Sequence, residues 1–142
     1  MSTVNKEAAT SAKAKGHAAF SAKNYEEAIK HFKEAMGHDP TDPVFYSNLS
    51  ACYALSMPPN YADALKYGEK CVSLKPDWAK GYSRKGYAEY HLGKLAEAEA
   101  TYAKGLQFAP QDAVLLSSAK TVEDARARGA GPASTSSAAG GG

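Results

Sequence analysis

Small and apolar residues recur along this chain at helical spacing, and the pattern restarts three times. The blocks YEEAIKHFKEAMGHDP (25–40), YADALKYGEKCVSLKP (61–76) and LAEAEATYAKGLQFAP (95–110) align in register. Each opens on a large apolar residue and has alanine three places on, at Ala28, Ala64 and Ala98. A ring or small residue follows four places later, and a small residue three beyond that. This spacing forms one stripe on a helix. Proline closes each block at Pro40, Pro76 and Pro110, because the residue before a proline is held out of the helical region. Ahead of each block runs a second helical stretch, at 9–23, 43–55 and 79–93. The unit is therefore helix, short turn, helix. Alanine and glycine at fixed places let its two helices approach closely.

Pro40 and Pro76 are 36 residues apart, and Pro76 and Pro110 are 34 apart. The two extra residues fall in SMPPN (56–60), where Pro58-Pro59 cannot continue a helix. A stack of such units leaves its last helix with an uncovered apolar side. DAVLLSSAKTVEDARAR (112–128) is expected to cover it, with Val114, Leu115, Ala119 and Val122 on the packed face. The pattern predicts an all-α domain over 9–128, with repeats 9–42, 43–78 and 79–112 and a capping helix 113–128. An extension (1–8) precedes it. A Gly-, Ser- and Ala-rich flexible tail or linker (129–142) follows.

Composition narrows the function. A length of 142 residues suits one domain with a core. The 17 Lys and Arg are nearly matched by 15 Asp and Glu, so the balance argues for neither nucleic acid nor an anionic membrane as partner. No apolar leader or spanning run is present, which places the chain in the cytoplasm. Cys52 and Cys71 then read as buried, reduced thiols. No phosphate-binding loop, dinucleotide glycine motif or HExxH occurs. His17, His31, His38 and His91 are isolated, and the carboxylates read as scattered over outer helix faces. The expectation is a non-enzymatic domain without metal or cofactor, monomeric on its own.

The repeat length and the alanine, ring and proline places resemble the tetratricopeptide repeat (TPR). More closely, VFYSNLSACYAL and LKPDWAKGYSRKG resemble the first TPR domain of the Hop/stress-inducible co-chaperones, over residues 5–128. The resemblance implies a right-handed superhelical solenoid whose first helix in each repeat lines a concave peptide groove. It also implies a partner, the acidic C-terminal tails of heat-shock chaperones of the seventy- and ninety-kilodalton classes. In that family a clamp of Lys and Asn, then Asn, then Lys and Arg holds the two carboxylates of a terminal Asp. Carried over, these places are Lys13, Asn48, Lys80 and Arg84, and the remaining Asn place holds His17, a departure. Lysines supply movable charges, arginine a planar fork, and asparagine an uncharged donor. Histidine ordinarily titrates near pH ~6.5, so a clamp containing His17 should tighten as pH falls from about 8 to 6. Ser47, Ala51 and Leu55 share the implied groove face. Phe20, Tyr87 and Tyr90 either floor the groove or pack between repeats. Two other readings stay open: a general TPR scaffold for another partner, and the targeting module of a larger TPR-bearing enzyme.

Overall fold

Asparagine and aspartate start most of the helices. In the computed structural model, which describes residues 4–129, side chains of Asn5, Asn24, Asp42, Asn60 and Asp112 each accept a bond from a first-turn N–H. These are preferred N-cap types, because a short side-chain oxygen reaches the otherwise unpaired donors. The seven helices are α1 (Lys6–Ser21), α2 (Tyr25–His38), α3 (Pro43–Leu55), α4 (Tyr61–Leu74), α5 (Ala79–His91), α6 (Leu95–Phe108) and α7 (Ala113–Arg128). Apart from Gly129, the expected tail lies outside the described residues.

Helix α1 begins three residues ahead of the expected boundary. The Asn5 N–H donates to the His38 carbonyl at 2.9 Å, and Lys6 Nζ donates to Asp39 Oδ2 at 2.9 Å. Asp39 is buried and also accepts from the Thr41 hydroxyl at 2.7 Å. The bonds from Lys6 and Thr41 hold its carboxyl below the ordinary range. These links tie the start of α1 to the end of α2, a pairing that helical spacing alone does not reveal.

Successive helices pack along the chain into pairs and then pairs of pairs. Within the first and third repeats the close approach rests on glycine. A methyl at Gly16 would meet the Phe32 ring at 2.6 Å, and one at Gly86 would meet Tyr102 at 2.5 Å. The middle repeat is built differently. Ser50 stands in the glycine's place and donates to the buried Ala64 carbonyl at 2.8 Å. Gly68 stands in the ring's place, and there α4 lies directly on α5 (a methyl would sit 2.9 Å from Lys85 N). Gly37 has no neighbour within 4 Å of an added methyl, so Gly37→Ala should raise stability by about 0.5–1 kcal/mol in denaturant melts.

Two main cores result. Phe32, Leu49, Cys52, Tyr67 and Cys71 join the first two repeats, with Trp78 packed on them from the next junction. Tyr102, Leu115, Val122 and Ala125 join the third repeat to α7. Tyr46 and Tyr82 each reach back six residues to the closing proline's carbonyl, at 2.9 and 2.5 Å, fixing one repeat against the last. Both cysteines are free and fully buried, and burial pushes their thiols up to about 12 and about 11.

Not every acid lies outside. Glu89 on α5 is buried, accepts from the Thr101 hydroxyl at 2.6 Å, and has Lys85 Nζ 3.8 Å away. Burial nonetheless raises its pKa. The folded state therefore favours the protonated form. The charge costs stability above the folded pKa, and the cost is absent below the ordinary carboxylate range. Glu89→Gln keeps an acceptor for Thr101. It should raise the unfolding temperature at pH 7–8 and change nothing below pH ~4, as read by thermal unfolding across pH.

Candidate functional site

The spacing of the helices sets the curvature. Beyond the sequential pairs, α3 touches α5 and α5 touches α7, whereas no two even-numbered helices pack to a comparable degree. The odd-numbered row is therefore the tighter one and lines the concave side. Small side chains permit this: Ser47, Ser50, Ala51 and Ala54 on α3 are all buried.

Arg84 holds the centre of this side. Its Nε donates to the hydroxyl of Ser47 across the α3–α5 contact at 3.1 Å, which fixes the guanidinium's direction. The side chain is half-buried, and burial pushes its pKa down, with the Cys52 and Cys71 sulfurs close beneath. Arginine keeps its charge under such pressure. Yet among the described residues no carboxylate lies within 4 Å of Arg84, Lys13 or Lys80. A partly desolvated cation without a counter-ion is costly, and an incoming carboxylate relieves that cost. On α3, one residue after Ser47, Asn48 Nδ2 is buried and has no protein hydrogen-bond partner among the described residues. Such a donor can pair with water or with a bound acceptor.

Lys80 and Arg84 are one turn apart on α5, with Lys80 exposed. Lys13 and His17 are one turn apart on α1, the lysine half-buried and the histidine exposed. The His17 ring lies edge-on to Phe32, centroids 5.3 Å apart, so it rests on the first repeat's core. Next to Arg84 a hollow of about 300 Å³ continues along the groove, with Ala51, Leu55 and Tyr87 in its wall. Leu55 and Tyr87 are 43% and 40% exposed, so the wall of this hollow offers apolar surface.

For Phe20 and Tyr90, where groove and packing both stood open, the structure shows packing contacts. Tyr90 is 7% exposed and belongs to the core between the third repeat and α7, so it is chiefly a packing residue; its remaining surface edges a smaller hollow beside Tyr87. Phe20 is half-buried, edge-on to Tyr25, and packs on the first core. Conversely, Val114 and Ser118 of α7 line the larger hollow, and the expectation of Val114 on the packed face is incorrect: it is 61% exposed. The signal was present, since Leu115, Val122 and Ala125 form the buried stripe and a neighbour is turned about 100° away.

The histidines have close neighbours too. His31 is flanked by Glu27 at 3.1 Å and Glu34 at 3.5 Å, and His91 stacks on Tyr61 at 4.6 Å. Among the described residues no three His, Cys, Asp or Glu gather as metal ligands would, and no helix is long and apolar enough to cross a membrane.

The tetratricopeptide repeat model matches residues 14–42 and 79–112. The first TPR domain of Spaghetti (RPAP3), solved bound to the HSP90 peptide SRMEEVD, superposes with a TM-score of 0.82 at 30% identity, covering 87% of this chain and 97% of that one. The chain belongs to the tetratricopeptide repeat family. The matched segments of this TPR domain leave out the middle repeat, where the SMPPN insertion, Ser50 and Gly68 depart from the other two. Among curated proteins, the heat shock protein sti1 homolog of Schizosaccharomyces pombe is 51% identical over 118 residues, 83% of this chain and 20% of its own length. The Hsp70-Hsp90 organizing protein of Triticum aestivum is 54% identical over 104 residues, 73% of this chain and 18% of its own. The TPR domain thus spans about one fifth of the length of these two relatives. The resemblance to Hop-type co-chaperones, read from two short stretches, is borne out.

Proposed function

We propose that this domain is a co-chaperone adaptor. It binds the acidic C-terminal tails of seventy- and ninety-kilodalton heat-shock chaperones in the cytoplasm, by recognition and not by catalysis. The observation that carries this is Arg84: half-buried, aimed by Ser47, and without an acid within 4 Å among the described residues. Lys13 and Lys80 supply the remaining charge, and the terminal Asp of a Glu-Glu-Val-Asp tail supplies two carboxylates to meet it. The apolar wall of Ala51, Leu55, Tyr87 and Val114 then receives residues upstream of that Asp. A relative solved with a peptide ending Glu-Glu-Val-Asp supports the same ligand class.

The test is a nuclear magnetic resonance titration with a peptide ending Glu-Glu-Val-Asp. The Asn48 side-chain NH2 and the Arg84 Nε–H should shift most and saturate together. Shifts that avoid both groups would contradict the clamp. If His17 belongs to the clamp, parent and His17→Asn should bind the tail with different affinity profiles across pH 6–8. Equal profiles would place His17 outside the clamp.

A further inference from the structure

Arg84 is seated by one particular hydrogen. Its Nε–H donates to the Ser47 hydroxyl, from α5 to α3, while neither Nη group has a carboxylate within 4 Å among the described residues. Ser47 is 1% exposed, so solvent does not compete for its oxygen. A serine inside a helix commonly turns its hydroxyl back to the carbonyl four residues earlier. Here that carbonyl, of Pro43, accepts from the Cys71 thiol at 3.6 Å, and burial keeps the thiol protonated. Ser50, one turn on, is used differently and donates to the Ala64 carbonyl.

A guanidinium can hold a carboxylate through two parallel bonds in two ways. The side-on fork pairs Nε–H with one Nη–H, and the end-on fork uses both Nη groups. With Nε–H committed to a buried oxygen, the side-on fork is closed. We propose that Ser47 is the positioning residue of the clamp: it keeps Nε–H inward and leaves Arg84 to receive the ligand carboxylate end-on, through its two Nη groups. This deepens the clamp reading and rests on it. A guanidinium already seated has less freedom to lose when the ligand arrives, and the gain in affinity lies there. Lysine has a single nitrogen, which cannot hold Ser47 and present a fork at once.

Ser47→Ala removes the acceptor without adding bulk. In the free domain the parent's Arg84 Nε–H should exchange slowly with water, and in Ser47→Ala about tenfold faster or more, as read by nuclear magnetic resonance. In the parent it should stay protected when a peptide ending Glu-Glu-Val-Asp saturates the domain. Calorimetric titration should show Ser47→Ala binding that peptide about three- to tenfold more weakly. In the Arg84→Lys background the same substitution should change affinity by less than about twofold, whereas a packing role would cost the same in both backgrounds. The proposal is overturned if Ser47→Ala binds as the parent does, if the loss is equal in both backgrounds, or if Nε–H loses its protection on binding. A parent that does not bind the peptide at all would overturn the clamp and this proposal with it, whereas the other three outcomes overturn the proposal alone.

Discussion

Arg84→Ala is expected to reduce binding of a Glu-Glu-Val-Asp tail to near background. Removing one partner of a desolvated, hydrogen-bonded charge pair typically costs about 2–5 kcal/mol. A micromolar peptide has only ~8 kcal/mol in total, so little affinity survives. Stability should behave differently. The guanidinium is half-buried without a counter-ion, so its loss removes a desolvation cost along with the single bond to Ser47. The unfolding temperature should therefore hold or rise while binding disappears. A variant that binds poorly because it is unfolded shows the opposite pairing. Arg84→Lys keeps the charge but loses the planar fork, and should bind between parent and alanine variant. Calorimetric titration with thermal unfolding on the same samples checks all three.

Gly68→Ala should give the second large effect, in stability and binding together. In an open helix this change helps by up to ~1 kcal/mol. Here the added methyl sits 2.9 Å from Lys85 N and 3.0 Å from Lys85 Cα, next to the Arg84 carbonyl carbon. Backbone cannot yield as a side-chain tip can, so α5 must move off α4. Overpacking of this kind costs about 1–3 kcal/mol. The helix that moves carries Lys80 and Arg84, and the Arg84–Ser47 bond fixes their register against α3. A denaturant midpoint lowered with an unchanged slope, and weaker tail binding in the folded protein, are the expected results.

The repeats were legible because their signals are local. Alanine spacing and closing prolines each act within one or two turns, and the observed helices follow them. The two-residue insertion was legible for the same reason, since Pro58-Pro59 admits no helix. What escaped depends on which helix a face meets. Gly68 looks like a missing ring until α5 is seen lying on it. Tyr90 shares a helix face with the groove residues, yet α7 covers it, and the adjacent Val114 is left in the open. Glu89 reads as a surface acid and is buried against Thr101. The site shows the same division. Lys13, Asn48, Lys80 and Arg84 were placed by resemblance. The Arg84–Ser47 bond spans 37 positions in sequence, and no local pattern announces it. The orphaned Asn48 amide likewise emerges only once its neighbours are in place.

The central claim is that the concave cations receive a chain end, and amidation of the ligand addresses it most directly. One peptide ending Glu-Glu-Val-Asp, with a free or an amidated C-terminus, is titrated into the domain under identical conditions. The clamp predicts that amidation, which removes one of two carboxylates and leaves the rest of the sequence intact, lowers affinity at least about thirtyfold. Equal affinity for the two forms would contradict it.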